Sequence, residues 1–228
     1  MKVVTLLSGG IDSSTLLYYL LNKGFEVHAL TFDYGQTHKK EITHSKKIIL
    51  EAVRHFEKGE LTHLTVNISG LQGLLKSALT GHGKIPDKAY DVESQKATVV
   101  PNRNMIFIAI ATGYAQSIGA ERVYYAAHWN DSAIYADCRK EFVFSLNSSI
   151  ELATGRKVTL WAPFVSDSKA ELVKLGLALN VPFEKTWSCY KGEGKACGKC
   201  GTCRERINAF KTLKLVDPIE YEIEIKWR

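Results

Sequence analysis

The sequence predicts an α/β fold, a doubly wound parallel sheet with helices on both faces. Three observations carry this: an apolar N-terminal run ending in a glycine-rich turn, an alternation of strand-like and helix-like segments, and no internal repeat or low-complexity tract. Residues 2–7 are nearly all apolar and alternate poorly, which suits a strand buried on both faces. They stop at Ser8-Gly9-Gly10; from Asp12 onward Leu16, Leu17, Leu20 and Leu21 recur at helical spacing until Lys23-Gly24 ends the helix. A second strand over 26–32 ends in Asp33-Tyr34-Gly35, and Ile42, Ile49 and Val53 mark a helix over about 39–58. A third strand covers 63–68. Residues 69–100 mix a short helical piece with Gly81-His82-Gly83 and Pro86, a stretch long enough to be a lid or binding loop, with 80–100 the part that would close over a ligand. Pro101-Asn102-Arg103-Asn104 precedes an apolar helix over about 105–118, then come a strand over 122–126, a long loop over 127–140, a helix over about 141–152 and a short strand near 158–161. Ser168-Lys169-Ala170-Glu171 opens the next helix as a capping box, and a short helix over about 204–213 closes the ordered part. Ligands of such sheets bind at the carboxyl ends of the strands.

A chain of 228 residues has room for one full core plus an appendage. Its character changes after Trp187, where Gly, Lys and Cys accumulate, so the expected division is a main domain over 1–186 and a small metal-binding C-terminal subdomain with its tail over 187–228. Apolar content of 45% with 24% charged residues is ordinary for a globular protein, and no apolar run approaches the roughly 20 residues that span a bilayer. The short uncharged run between Lys2 and Ser8 cannot serve as a secretory signal, so a cytoplasmic location is expected. A net charge of +6 invites a nucleic-acid partner. Lys and Arg are interspersed with Glu and Asp, however, as on solvated helix faces, which disfavours that reading; an anionic small molecule would benefit from the same mild positive field.

The turn Ser8-Gly9-Gly10-Ile11-Asp12-Ser13-Ser14 lies between a buried strand and a helix. Adjacent glycines let backbone amides approach an anion, the helix N-terminus favours negative charge, and the hydroxyls of Ser8, Ser13 and Ser14 add donors. Neither the Walker loop nor the Gly-x-Gly-x-x-Gly dinucleotide turn is present. The bland alternative is a tight connection capped by Asp12 or Ser13. Cys189, Cys197, Cys200 and Cys203 are spaced C-x7-C-x2-C-x2-C, with Gly198 and Gly201 supplying turns between them. Four converging thiolates suit one structural Zn²⁺; an iron–sulfur cluster is the competing occupant. Cys138 reads as a buried free thiol.

Ser-Gly-Gly-x-Asp-Ser directly after the first strand resembles the ATP pyrophosphatase (PP-loop) motif. Together with Thr31-Phe32-Asp33-Tyr34-Gly35-Gln36, Pro101-Asn102-Arg103-Asn104, Tyr135-Ala136-Asp137-Cys138-Arg139, Ser168-Lys169-Ala170-Glu171 and the four cysteines, it is similar to the QueC family, the 7-cyano-7-deazaguanine (preQ0) synthases, over nearly the whole chain to about residue 210. The resemblance implies a Rossmann-like sheet of the adenine nucleotide alpha hydrolase (HUP) type and an ATP-dependent ligase that joins ammonia to 7-carboxy-7-deazaguanine in queuosine or archaeosine biosynthesis. The carboxylate is adenylated and aminated to an amide, whose oxygen is then activated and lost to leave a nitrile. It also implies a homodimer. Asn102 stands where the family usually has Gly and Ala136 where it usually has Pro, both expected to flank the acceptor pocket.

Residues 8–14 would hold the pyrophosphate of ATP, with Asp12 among the catalytic groups. Arg103 and Lys169 are candidates to balance charge on the α-phosphate and the leaving pyrophosphate, against the alternative of surface salt bridges. Asp33 and Tyr34, at the end of the second strand, lie where nucleotide bases bind in such sheets. Asp131, Tyr135, Asp137 and Arg139 form the expected acceptor set: carboxylates for guanine-like N–H donors, an aromatic ring for stacking and Arg for the substrate carboxylate. His128 is either a proton shuttle or a packing histidine. Mg²⁺ is expected with ATP, and free ammonia as the nitrogen donor. The competing functions are a PP-loop enzyme acting on a related deazapurine or a tRNA base, and a zinc-ribbon binding module that makes no AMP.

Overall fold

The computed structural model describes residues 1–57, 59–87, 91–192 and 194–227. Five strands form one sheet: β1 (Lys2–Leu6), β2 (Glu26–Asp33), β3 (Leu61–Asn67), β4 (Arg122–Tyr124) and β5 (Thr159–Trp161). Their order is β3-β2-β1-β4-β5, and every pairing is parallel. The helices, in chain order, are α1 (Ile11–Asn22), α2 (Lys40–His55), α3 (Val92–Gln95), α4 (Arg103–Ile118), α5 (Trp129–Ser132), α6 (Lys140–Ala153), α7 (Lys169–Ala178) and α8 (Gly201–Thr212).

The apolar run of β1 is central because it must be covered on both faces. Val3 and Leu7 belong to one core with α1, α2, α7 and α8, while Val4 belongs to the other with α4 and α6. Register places Val4 between His28 of β2 and Val123 of β4. The expected helix over 39–58 ends at His55, where Phe56 leaves helical backbone at φ −110° and ψ 66°; Lys58 lies outside the described residues. β4 stops at Tyr124, because the chain then turns up into the long loop. α4 starts at Arg103 because Asn102 holds a left-handed conformation, φ 50°.

The segment expected as a lid is partly seated on the body. Gln95, Thr98 and Val100 are buried, Ser77 and Thr80 close a capping box, and the side chain of Gln95 covers Gly201 of α8. Its residues 88–90 lie outside the described residues. The C-terminal segment shares the core of the preceding domain: Ala209 and Phe210 pack with α1 and α7. Arg206, fully buried, donates to both carboxylate oxygens of Asp217 (2.6 and 2.8 Å), to Thr186 Oγ1 (2.7 Å) and to the Phe183 carbonyl (3.0 Å). Among the described residues no helix is long and apolar enough to cross a membrane.

Candidate active site

β1 and β4 are neighbours whose onward connections pass to opposite sides, so the loops leaving them part and open a crevice at the carboxyl edge of the sheet. The loop after β1 forms its floor. Gly9 adopts φ +80°, and a Cβ there would sit 2.5 Å from the Ser45 amide nitrogen and 2.8 Å from the Glu41 carbonyl, so only glycine lets the loop lie against α2. The Gly9 carbonyl accepts from Trp187 N (2.9 Å), and Ser13 Oγ accepts from Ser8 N (3.1 Å) and lies 3.0 Å from Ser8 Oγ. Gly10 is the N-cap of α1 and no side chain caps that helix, so its first-turn amides and positive end face the crevice.

The crevice encloses a cavity of about 220 Å³. Of the expected residues, Ser8, Gly10, Asp12, Ser13, Tyr34, Arg103, Asp131, Tyr135 and Lys169 line it. Gly9, Ile11 and Ser14 build the loop from behind: Ile11 and Ser14 are fully buried, and among the described residues Ser14 Oγ meets no hydrogen-bond partner. Asp33, Asp137 and Arg139 stand outside the lining, each engaged locally. Asp33 accepts from Gly35 N (3.1 Å) and pairs with Lys39 (3.3 Å); Asp137 accepts from Asn104 N (3.2 Å); the exposed Arg139 donates to the Ser132 carbonyl (2.9 Å). Asn102 and Ala136 are exposed and also outside the lining, so neither departure from the family pattern touches the cavity. Asn102 occupies a left-handed position, where glycine is the unstrained residue and Asn one of the least costly alternatives. Ala136 opens a 3₁₀ turn at the first position, where proline fits.

Lys169, a buried residue, sits at one end of the cavity with its Nζ 2.5 Å from Asp12 Oδ2, 3.5 Å from Glu205 Oε2 and 3.5 Å from His128 Nε2. Burial works against charge on both partners, but Lys169 and His128 outweigh it at Asp12 and lower its pKa, while Asp12 and Glu205 raise that of Lys169. Both are ionised at neutral pH. The buried Glu205 carboxyl is pushed up to about 7, by burial first and, after the opposing pull of Lys169, by Asp131. His128 is fully buried, with Nε2 3.3 Å from Asp131 Oδ2. Lys169 N donates to Asn130 Oδ1 (2.9 Å), tying α7 to the loop that follows β4.

The other end is an aromatic wall. Phe32 stacks on Phe107 at 4.2 Å, and Arg103 lies over the Tyr34 ring with its Nη1 3.5 Å from Tyr34 Oη. Burial opposes the Arg103 charge, but Tyr34, Tyr190 and Glu41 outweigh it and raise its pKa. Burial raises the phenols of Tyr34, Tyr125, Tyr135 and Tyr190, which therefore stay protonated hydrogen-bond donors. Cys138, a buried thiol, is likewise held protonated by burial. Glu205, Phe107, Tyr125, Trp187 and Tyr190 line the cavity without having been singled out in the sequence.

Beside the cavity the four cysteines are buried, with their Sγ atoms within 4.8 Å of one another and Cys197 Sγ 3.9 Å from Cys203 Sγ. A tetrahedral ion with bonds of about 2.3 Å places sulfurs about 3.8 Å apart. A cluster would spread them further, since its thiolates are divided among two or four irons. Amides of Gly192 and Cys197 donate to Cys189 Sγ (3.0 and 3.3 Å), and that of Cys200 to Cys197 Sγ (3.3 Å), as thiolates require. The donor set fits a single ion.

A family model described as "Queuosine biosynthesis protein QueC" matches residues 2–214. A relative from Archaeoglobus fulgidus named 7-cyano-7-deazaguanine synthase is 52% identical over 228 residues, 99% of this chain and 92% of its own. One of the same name from Caldicellulosiruptor saccharolyticus is 49% identical over 100% of this chain and 98% of its own. Among solved structures, a 4-thiouridine synthetase in complex with RNA and bound ATP superposes with a TM-score of 0.53 at 24% identity, over 83% of this chain and 45% of that one, a likeness of fold alone. With a family model spanning nearly its whole length and relatives this similar end to end, the chain belongs to the QueC family.

Proposed function

We propose that this chain is an ATP-dependent 7-cyano-7-deazaguanine synthase, converting 7-carboxy-7-deazaguanine and ammonia to the nitrile with two adenylations. The observation that carries the reading is the uncapped α1 terminus behind Ser8-Gly9-Gly10, opening into a cavity with a cationic end at Lys169 and an aromatic end at Tyr34, Tyr135 and Arg103, in a chain of this family. ATP would rest its β- and γ-phosphates on the amides of residues 9–13 and the hydroxyls of Ser8 and Ser13. Lys169, fixed by Asp12, offsets charge on the departing pyrophosphate; being already in place, it costs no reorganisation as that charge develops.

The planar acceptor stacks in the aromatic end. Asp131 accepts from its guanine-like N–H groups through Oδ1, its Oδ2 being turned to His128, and the protonated phenol of Tyr135 donates to its ring acceptors. Arg103 is reassigned here to the acceptor carboxylate, because it lies among the tyrosines. A carboxylate oxygen attacks the α-phosphorus and the bond to pyrophosphate breaks. Ammonia then forms the C–N bond of the amide as the C–O bond to AMP breaks. The amide oxygen repeats the attack on a second ATP, and loss of its AMP ester with the amide protons leaves the nitrile. Mg²⁺ accompanies ATP, Zn²⁺ occupies the cysteine site, and the enzyme works as a cytoplasmic homodimer; these complete the proposal.

Purified protein with ATP, Mg²⁺, ammonium and the carboxylic acid should yield the nitrile with AMP and pyrophosphate. Folded protein that binds ATP yet releases no AMP with this acceptor would remove the assignment.

A further inference from the structure

We infer that His128, Asp131 and Glu205 hold a divalent cation of the Mg²⁺ or Mn²⁺ class, at a site distinct from the four cysteines. His128 is the N-cap of α5 and Asp131 its third residue, so both side chains share one face of a single helical turn. Glu205 comes from α8, on the far side of the crevice. The three donor atoms lie within 4.8 Å of one another: His128 Nε2 is 3.3 Å from Asp131 Oδ2 and 3.8 Å from Glu205 Oε1. An octahedral ion with bonds of about 2.1 Å sets adjacent donors about 3 Å apart and opposite ones about 4 Å. A tetrahedral ammonium, with acceptors about 2.9 Å away, would hold them about 4.7 Å apart. The observed spacings belong to the first pattern.

A second observation points to an occupant. Among the described residues Glu205 Oε1 has no hydrogen-bond partner, although its side chain is only 8% exposed and the residue lines the cavity. A buried carboxylate oxygen left without a partner is costly unless a cation meets it. Among the described residues Nδ1 of the fully buried His128 also meets no hydrogen-bond partner, and the polar contacts of that ring run through Nε2, toward the cluster. Lys169 Nζ pairs with Asp12 and also lies 3.5 Å from Glu205 Oε2, so it is the other oxygen of that carboxyl group, Oε1, that faces the cluster. An octahedral divalent ion would meet it there beside the imidazole. Mixed imidazole and carboxylate donors suit Mn²⁺ as well as Mg²⁺.

Asp12 of the phosphate loop lies 3.7 Å from His128 Nε2, so the bound ion would sit beside the polyphosphate. That role rests on the function proposed above; the site itself does not. The test therefore uses binding without nucleotide. Protein carrying its cysteine-bound metal is titrated with Mn²⁺, and the free Mn²⁺ signal is followed by electron paramagnetic resonance. One Mn²⁺ per chain should bind, pulsed spectra should show nitrogen coupling from one imidazole, and Glu205→Gln and Asp131→Asn should each weaken binding at least about tenfold, since removing a ligand costs no less than removing its support. Either folded variant suffices, and the nitrogen coupling is read on the unaltered chain. Absence of Mn²⁺ binding, binding without nitrogen coupling, or affinity unchanged in a folded variant would overturn the site. Mn²⁺ held this way by a protein that makes no nitrile upholds the site and removes only the acceptor; nitrile formation by a protein that binds no Mn²⁺ without nucleotide does the reverse.

Discussion

Replacing Gly9 by alanine should damage the loop after β1 through two separable effects. The first is conformational: at φ +80° an L-residue costs roughly 1–2 kcal/mol. The second is steric. The added Cβ would fall 2.5 Å from Ser45 N, 2.8 Å from Glu41 O and 2.9 Å from His44 C, all backbone atoms of α2, which cannot turn aside as a side chain can. Forcing an extra carbon into a packed contact costs typically about 1–3 kcal/mol, so the total should be about 2–5 kcal/mol. Gly24 supplies the internal control: it has φ +72° with nothing within 4 Å of an added Cβ, so Gly24→Ala reports the conformational part alone. At roughly 2–4 °C per kcal/mol for a chain of this size, Gly24→Ala should lower the Tm by about 2–8 °C and Gly9→Ala by about 4–20 °C. Pyrophosphate release, assayed well below both midpoints, should fall in Gly9→Ala and hold in Gly24→Ala. Equal Tm losses for the two variants, or undiminished pyrophosphate release in Gly9→Ala, would refute the claim that this loop is pinned against α2 by the missing Cβ.

The two departures from the family pattern should be silent in catalysis: Ala136→Pro should stabilise by about 0.4–1 kcal/mol, because Tyr135 before it is already extended, and Asn102→Gly should leave acceptor selectivity unchanged. Urea midpoints and competition between carboxylic acid analogues check both. Glu171 closes the α7 cap by accepting from Ser168 N (2.6 Å), the first cause of its pKa falling below 4.5, with the Ser168 hydroxyl the second. As pH falls, the unfolded chain therefore takes up this proton first. The cap contribution is full above about pH 4.5 and is lost as pH drops through the lower folded value. Glu171→Gln should flatten that part of the acid limb in urea titrations, and an unchanged limb would count against it. Chelating the cysteine-bound metal should lower both Tm and ATP affinity, because Trp187, Ser188, Tyr190 and Thr202 of that segment line the cavity; ATP binding that survives complete metal loss would separate the two.

The turn around Ser8-Gly9-Gly10 was legible in the sequence because its requirements are local: a buried strand, two glycines and a helix start; that no side chain caps α1 was not. Strand and helix identities followed for the same reason, and their ends shifted where tertiary contacts decide them, as at Phe56. Side-chain direction was harder to read. Asp33 was assigned to the site from its place at a strand end, yet Asp-x-Gly is an Asx-turn signature, and its carboxylate turns back to Gly35 N. Arg139 carries the right chemistry for a carboxylate but is the N-cap of α6 and points along the surface. Phe107 and Tyr125 are core residues by every local measure; that they also wall the cavity follows only from how the sheet opens.

The C-terminal segment shows why the rest was not legible. Its cysteines announce themselves by spacing, so the segment reads as a small metal-binding subdomain, and nothing in the short helix over about 204–213 singles out Glu205 or Arg206. Cys200 and Cys203 fix where α8 begins, and Ala209 and Phe210 fix what its far end packs against. With both ends set, the rotation of the helix is set too. Successive residues point about 100° apart, so one charge is driven into the crevice and its neighbour into the core. Both are buried: the fold meets Arg206 with Asp217, Thr186 and the Phe183 carbonyl, and it meets Glu205 Oε2 with Lys169 while Oε1 is turned toward His128. The cysteine segment is thereby part of the cavity's wall, because the cysteines that orient α8 also aim Glu205.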